Sequence, residues 1–258
     1  MFKTRLLSAI ILMIVTIFVL VSGGNILLFT LLATSLIGLY ELYKASKNEK
    51  NILGITGYII TIIYYMNLFF KLNLEIPIFI FAIIALMSAF VFTYPKYEIK
   101  DIAITFFSII YVSYMMSFVY QIRNIEEGIY LVWLIFICSW GCDTSAYCVG
   151  MTMGKHKLAP VLSPKKSIEG AVGGVLGASL LGLIFALITK TNIAQIMIIS
   201  ACGAAISQIG DLAASAIKRN YEIKDYGKLI PGHGGILDRF DSVIATAPII
   251  YFLFVVLG

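Results

Sequence analysis

The sequence is poor in charged residues. Only 13% of its 258 residues are Asp, Glu, Lys or Arg, whereas 60% are hydrophobic. The mean hydropathy is +0.96, and a soluble domain of this length could not bury so much apolar surface. The apolar residues occur in long runs and do not alternate with polar ones, which excludes a membrane β-barrel. The sequence therefore predicts an integral membrane protein made of helices.

The chain also has few of the residues that build zinc sites or disulfides. It contains four cysteines and two histidines, and the cysteines lack the short paired spacings of a zinc site or an extracellular disulfide framework. All four fall in apolar segments, so we interpret them as packing residues. The longest polar loops, at about residues 151–166 and 219–234, are short. Any chemistry is expected in these loops and at the helix ends beside them.

Apolar runs of about 20 residues, enough to span roughly 30 Å of hydrocarbon, predict nine transmembrane helices. We place them at residues 5–21, 25–43, 52–70, 76–94, 102–120, 129–150, 167–189, 193–218 and 235–257. Lys and Arg collect on the cytoplasmic side of membrane proteins. If the N-terminus is cytoplasmic, sixteen of the nineteen Lys and Arg residues lie on the cytoplasmic side. The exceptions are Lys71, Arg123 and Lys190. We expect a multi-pass protein of the cell membrane whose net charge of +5 reflects orientation and contact with anionic membrane lipids, with no nucleic-acid partner.

The polar residues divide the chain into two parts. Residues 1–128 are expected to face lipid or support the fold, whereas residues 129–258 carry the candidate catalytic region. Six carboxylates lie in predicted spans near the cytoplasmic ends: Glu41, Asp143, Glu169, Asp211, Asp238 and Asp241. A charge at the membrane centre costs about 2.5–3.5 kcal/mol on insertion scales, so this set predicts a polar cavity open to the cytoplasm. For any single member, a salt bridge or an interhelical hydrogen bond is an equally good interpretation.

Helical spacing predicts which polar side chains share a face. One stripe on the eighth span has members four, four and three residues apart: Ser207, Asp211, Ser215 and Lys218. Trp140, Asp143 and Tyr147 are expected to share a face of the sixth span. Carboxylates from several helices, without a cluster of His or Cys, suit a hard cation such as Mg²⁺ better than zinc. A magnesium ion normally accompanies a phosphate-bearing substrate.

Two loops have the composition of phosphate-binding segments. In residues 163–170 (Ser-Pro-Lys-Lys-Ser-Ile-Glu-Gly), a proline and two serines precede a predicted helix, so backbone N–H groups and the helix dipole would face an anion beside two lysines. The Gly-His-Gly-Gly run at residues 232–235 would let backbone approach a ligand closely, although a tight turn that needs positive φ explains it equally well. His233 fits either a loop or a phosphate ligand. The glycines at 170, 173, 174 and 177 indicate close helix packing.

The most specific signal runs from Ser215 to Asp241. It reads Ser215-Ala-Ile-Lys218-Arg219, then Lys224-Asp225, then Pro231-Gly-His233-Gly234-Gly235-Ile-Leu-Asp238-Arg239-Phe-Asp241. Together with the 163–170 loop, the Asp143-Thr-x-Ala-Tyr147 segment and Gly210-Asp211-Leu, this string closely resembles the signature of phosphatidate cytidylyltransferases, also called CDP-diacylglycerol synthases. The specific resemblance covers about residues 140–241, and Tyr40-Glu41 is a weaker match.

The resemblance implies transfer of CMP from CTP to phosphatidic acid, with Mg²⁺ required and a homodimer expected. The products would be CDP-diacylglycerol and pyrophosphate. The family's metal-binding aspartates correspond to Asp211 and Asp238, which Asp143 or Asp241 could assist. Lys218 and Arg219 are expected to be catalytic together with Asp211 and Asp238. The expected substrate-binding residues are Ser163, Lys165, Lys166, Ser167, Ser215, Lys224, His233, Gly234, Gly235 and Arg239.

Three other functions fit some of these features. A CDP-alcohol phosphotransferase needs the pattern Asp-Gly-x-x-Ala-Arg, which the chain lacks. A CTP-dependent polyprenol or dolichol kinase-like enzyme is the nearest alternative. A membrane anion transporter would spread polar residues through the bilayer midplane in repeat-related halves, whereas here they collect at one face and in one half of the chain. The sequence therefore favours an enzyme.

Overall fold

Helices make up most of the described chain. The computed structural model describes residues 2–257, and the side chains of residues 4–256. The helices are α1 (Phe2–Ser22), α2 (Gly24–Ala45), α3 (Ile52–Phe70), α4 (Glu75–Thr93), α5 (Ile99–Ser108), α6 (Met115–Arg123), α7 (Gly128–Phe136), α8 (Cys142–Met153), α9 (Ile168–Thr189), α10 (Ile193–Asn220) and α11 (Leu237–Leu257). Two π-helical segments, Ile109–Tyr114 and Ile137–Gly141, join α5 to α6 and α7 to α8. The strands β1 (Lys157–Ala159) and β2 (Ser163–Ser167) form an antiparallel hairpin.

Nine helical segments within the described chain are long and apolar enough to cross a membrane. They are Thr4–Ser22, Gly24–Ala45, Ile52–Phe70, Glu75–Thr93, Ile99–Arg123, Gly128–Met153, Ile168–Thr189, Ile193–Asn220 and Leu237–Val256. The number of predicted spans is confirmed, and their positions agree to within a few residues. The protein is therefore an all-α polytopic membrane protein. Its short β-hairpin lies between α8 and α9.

The chain forms two compact units. Unit 1 comprises Met1–Tyr120 and Ile223–Arg239, and unit 2 comprises Gln121–Glu222 and Phe240–Gly258. The division predicted at residue 128 concerns which part of the chain carries the chemistry, and it stays a prediction.

Buried hydroxyl groups hold the helices of unit 1 together. Tyr64 and Tyr65 on α3 are fully buried. The hydroxyl of Tyr65 lies 2.8 Å from that of Ser35 on α2, and the hydroxyl of Tyr64 lies 2.8 Å from that of Ser117 on α6. Because a buried polar group without a partner is costly in a membrane, these pairs fix α2, α3 and α6 in register.

Small residues bring α8 and α9 close together in unit 2. A Cβ at Gly174 would lie 2.9 Å from Sγ of Cys142, and one at Gly170 would lie 2.8 Å from the carbonyl oxygen of Ala146. Only glycine allows this approach, so the predicted packing role of these glycines is confirmed. The close contact brings the polar residues of α8 next to the start of α9 and the strand that precedes it.

The segment before α9 differs from the prediction. Ser163 lies in β2 and not at a helix start, and α9 begins at Ile168 with Ser167 as its N-cap. Oγ of Ser167 accepts the N–H of Gly170 at 3.1 Å. Glu169 closes the base of the hairpin, since its carboxylate accepts the backbone N–H of Lys155 at 3.0 Å and lies 2.6 Å from Nδ1 of His156. These contacts join residues 13 or 14 positions apart, so local sequence patterns could not indicate them.

Candidate active site

A cavity of about 480 Å³ in unit 2 gathers several of the predicted site residues. Its polar lining consists of Asp143 and Tyr147 from α8, Lys165, Lys166 and Ser167 from β2, and Gln208 and Asp211 from α10. Basic groups from the hairpin and acidic groups from two helices thus meet in one space. Such a combination suits a phosphate-bearing ligand together with a cation.

Lys166 and Asp211 form an ion pair in this cavity. Each side chain is 26% exposed. Apart from this pair, Nζ of Lys166 has no hydrogen-bond partner in the described part of the chain, so its remaining N–H groups are available to a ligand. Removing one partner of a fully buried pair costs about 3–5 kcal/mol, and partial exposure reduces that cost. A ligand can therefore separate Lys166 from Asp211 without a large loss of folding stability.

Further charged groups of unit 2 lie near Asp211. Asp241 on α11 is 7% exposed, and its Oδ1 accepts the N–H of Ser242 at 2.8 Å. The charges of Asp211, Asp143 and Lys218 all act on the Asp241 carboxylate. Three of the four predicted metal-binding aspartates and one predicted catalytic cation are therefore close enough to interact within unit 2.

The donor set of these carboxylates fits magnesium. Asp143, Asp211 and Asp241 offer only oxygen atoms, which hard cations prefer. No group of three or more His, Cys, Asp or Glu side chains among residues 2–257 is close enough to hold a metal ion. Magnesium usually binds through one or two carboxylates, water and substrate phosphates rather than in an all-protein cage. The residues present therefore fit an ion that binds together with a phosphate-bearing substrate.

Gln208 is a cavity residue that sequence reasoning missed. It lies one turn before Asp211 on α10, and its Nε2 donates to the carbonyl oxygen of Ala171 at 2.9 Å and to Sγ of Cys142 at 3.4 Å. The side chain thus links α10 to α9 and α8 at the wall of the cavity. An amide three residues before an intramembrane aspartate is the signal that could have identified it.

Asp143 and Tyr147 line the cavity, whereas Trp140 does not. Its ring packs against the rings of Phe136 and Phe240, with centroid distances of 4.9 and 6.4 Å. Trp140 lies in the π-helical segment Ile137–Gly141 and the other two residues lie in α8, and the common face expected for the three stays a prediction.

Five predicted site residues of unit 2 lie outside the lining of this cavity: Ser163, Ser215, Lys218, Arg219 and Asp241. Arg219 and Lys218 occupy the last turn of α10, where cations interact favourably with the helix dipole. Lys224 belongs to unit 1 and is exposed. The roles assigned to these residues stay predictions.

The Pro-Gly-His-Gly-Gly segment lies in unit 1 as a tight turn. Gly232 and Gly234 have φ angles of +78° and +90°, which confirms the turn interpretation for these two residues. The N–H of Ile230 donates to the carbonyl oxygen of Gly234 at 2.9 Å and closes the turn. His233 occupies the tip between the two glycines, and its Nδ1 is buried without a hydrogen-bond partner in the described chain.

Asp238 holds this turn against the preceding segment. Its Oδ2 accepts the N–H of Gly235 at 2.9 Å and that of Tyr226 at 2.8 Å. Hydrogen bonds to a charged group contribute about 1.5–3 kcal/mol each, so Asp238 organises the loop backbone whatever else it binds. The next residue, Arg239, has a buried Nε without a hydrogen-bond partner among the described residues. A ligand anion could supply that partner.

Glu41 has a different environment from the one predicted. The sequence predicts it among the carboxylates of the cavity, but its two oxygens accept the N–H groups of Ile236, just before α11, and of Leu237, the first residue of α11. Sequence spacing could not indicate this contact, because the bonded residues are 195 and 196 positions apart.

Similarity to known proteins extends over almost the whole chain. A family model described as the cytidylyltransferase family matches residues 3–257. A phosphatidate cytidylyltransferase of Bacillus subtilis is 32% identical over 262 residues, which cover 97% of each chain. Proteins of the same name from Staphylococcus saprophyticus and Staphylococcus aureus are 34% and 32% identical over 259 residues, covering 98% of this chain and 99% of each relative.

Proposed function

The chain belongs to the cytidylyltransferase family. From this membership we propose how its residues carry out the transfer of CMP from CTP to a lipid phosphate. It is a membrane-bound phosphatidate cytidylyltransferase. It transfers CMP from CTP to phosphatidic acid and forms CDP-diacylglycerol and pyrophosphate. The observation that carries this conclusion is similarity over 97–98% of the chain to relatives named phosphatidate cytidylyltransferase, and a cavity lined by two lysines and two aspartates agrees with it.

The reaction requires little acid or base chemistry. A phosphate oxygen of phosphatidic acid attacks the α-phosphorus of CTP, and the bond from that phosphorus to the bridging oxygen of the β-phosphate breaks. Pyrophosphate leaves with the electron pair of that bond. Since the attacking phosphate already carries negative charge, the main obstacle is bringing two anions together. Positioning and charge stabilisation therefore account for most of the catalysis.

The basic residues are proposed to position the phosphates. Lys166 lines the cavity with N–H groups available beyond its ion pair, and Lys165 lines the same cavity. Ser167 lines it as well. Lys218 and Arg219 at the end of α10 and Arg239 at the start of α11 are proposed to neutralise phosphate charge during transfer. The acyl chains would remain in the bilayer, because only the head group has to reach polar residues.

The acidic residues are proposed to bind magnesium. By the resemblance, Asp211 and Asp238 would each offer carboxylate oxygen to a metal ion, and Asp143 and Asp241 of unit 2 would assist. Asp211 is paired with Lys166, so a ligand of this carboxylate and a ligand of the lysine would be neighbours. Bound Mg²⁺ would supply neutralisation of the triphosphate and the leaving pyrophosphate.

We also propose the setting in which the enzyme works. The excess of Lys and Arg in loops on one side supports a cell-membrane protein whose polar loops face the cytoplasm, where CTP is available. A homodimer is proposed from the resemblance alone. The polar residues remain clustered in sequence, which does not favour a transporter, and the full-length similarity does not favour a polyprenol kinase.

An acceptor comparison tests the proposed function. Purified protein receives labelled CTP, Mg²⁺ and either phosphatidic acid or a polyprenol, and the lipid products are identified by mass spectrometry. We expect CDP-diacylglycerol from phosphatidic acid and no phosphorylated polyprenol. Formation of polyprenyl phosphate, with phosphatidic acid unchanged, would contradict the assignment.

A further inference from the structure

Glu41 is a buried carboxylate whose partners lie far along the chain. It is located on α2 and is 4% exposed. Its Oε1 accepts the N–H of Ile236 at 3.0 Å, and its Oε2 accepts the N–H of Leu237 at 2.9 Å. Both oxygens are therefore engaged by consecutive backbone groups of unit 1. The carboxylate of Glu41 therefore restrains the backbone at Ile236 and Leu237.

The two bonds satisfy the start of α11. Leu237 is the first residue of that helix, and the first N–H groups of a helix have no acceptor inside it. A negative charge at this end is favoured by the helix dipole. A helix is usually capped by the side chain of the residue just before it. The N-terminus of α11 is capped instead by Glu41, which lies on α2.

Two glycines allow the backbone to reach the carboxylate. A Cβ at Gly235 or at Gly227 would collide with the carboxylate of Glu41. Neither glycine has a positive φ, so space and not backbone conformation requires glycine at both positions. The loop backbone is consequently in direct contact with Glu41 on two sides.

A second carboxylate holds the same short segment. Asp238 accepts the N–H of Gly235 at 2.9 Å, directly before the two N–H groups that Glu41 accepts. Three successive N–H groups are therefore fixed by two carboxylates, whose charges act on each other. The repulsion between them is offset by four backbone donors. The conformation of residues 235–237 determines the direction in which Asp238 and Arg239 leave the backbone.

We propose that Glu41 is a positioning residue for CMP transfer. By fixing the N–H groups of Ile236 and Leu237, it sets the placement of Asp238 and Arg239 without contacting substrate. This inference rests on the proposed function, in which those two residues take part in the reaction.

The test compares Glu41→Gln with Ser35→Ala in full-length protein. The first variant replaces one acceptor oxygen by an NH₂ group that faces a backbone N–H. The second removes a different buried hydrogen bond of α2, the one to Tyr65. We expect faster hydrogen–deuterium exchange in peptides covering residues 226–239 for Glu41→Gln only. We also expect its kcat to fall at least about tenfold, since small misplacements in an active site are costly, with KM for CTP changed less than about threefold.

Gly227→Ala provides a second variant if Glu41→Gln does not fold. It presses a methyl group against the Glu41 carboxylate and is expected to change exchange and kcat in the same way. Unchanged exchange in both variants, or faster exchange with normal kcat, would overturn the positioning role. A wild-type protein that made no CDP-diacylglycerol would overturn the proposed function and, with it, this role. In that case, the difference in hydrogen–deuterium exchange between Glu41→Gln and the control would still show whether Glu41 restrains residues 226–239.

Discussion

Lys166 on β2 and Asp211 on α10 form an ion pair at the wall of the unit 2 cavity. An ammonium group suited to phosphate and a carboxylate suited to a hard cation are thus direct neighbours. Because the two residues are linked, substitution of either one changes the electrostatic environment of the other. The phosphate-binding and metal-binding functions proposed for this cavity are therefore expected to be coupled.

Lys166→Gln should lower kcat/KM for CTP. Loss of a charge-assisted hydrogen bond costs about 1.5–3 kcal/mol, which corresponds to roughly 10- to 100-fold. The measurement is steady-state CMP transfer in mixed micelles at saturating phosphatidic acid. Lys157→Gln is the matched control, because Lys157 is exposed on the same hairpin and does not line the cavity. Equal kinetics in the two variants would remove Lys166 from the phosphate site.

Asp211→Asn should nearly abolish turnover and raise the Mg²⁺ concentration needed for half-maximal activity. An amide has almost the same shape as a carboxylate but lacks its charge, so it weakens a hard-cation site. Metal stabilisation of a transferring phosphoryl group is worth several kcal/mol, and we expect a loss of at least about a hundredfold. Glu126→Gln removes an exposed carboxylate of the same unit and should behave as wild type. Near-native turnover of Asp211→Asn would show that the metal assignment is wrong.

Gln208→Leu should destabilise the protein. The change removes the hydrogen bonds that Nε2 donates to the carbonyl oxygen of Ala171 and to Sγ of Cys142, and an intramolecular hydrogen bond contributes about 0.5–1.5 kcal/mol to stability. Thermal unfolding in detergent measures the effect as a lower Tm. Ile209→Ala is the control, since Ile209 is adjacent on α10 and 60% exposed. If the Tm of Gln208→Leu were no lower than that of Ile209→Ala, the linking role of Gln208 would be disproved.

The orientation of the polar loops is testable by cysteine accessibility on a background without the four native cysteines. Lys155→Cys and Lys228→Cys should react only with reagent on the cytoplasmic side, and Arg123→Cys and Lys190→Cys only from the opposite side. The expectation follows from the distribution of basic residues. Reaction of positions 190 and 228 from the same side would contradict the proposed topology.

The membrane fold was predictable because its determinants are local. Each transmembrane helix must satisfy its own backbone hydrogen bonds, so an apolar run of sufficient length predicts a span without knowledge of its neighbours. The close approach of α8 to α9 at Gly174 was also predictable, since the spacing of glycines along one helix indicates close packing against a neighbour.

The contacts that form the site depend on distant parts of the chain. Lys166 meets Asp211 only because a hairpin, closed by the contact of Glu169 with His156, precedes α9. Glu41 caps a helix that begins 196 residues later. Residue types indicated which side chains were chemically useful, but their partners depend on tertiary packing that spacing does not encode.

The most direct measurement of the central claim follows the phosphorus atoms of CTP. The purified enzyme is incubated with phosphatidic acid and Mg²⁺, and CTP carries ³²P at either the α- or the γ-position. A cytidylyltransferase must place the α-label in the lipid and release the γ-label in pyrophosphate. Transfer of the γ-label to lipid, with the α-label remaining in CDP, would identify a CTP-dependent kinase and contradict the account.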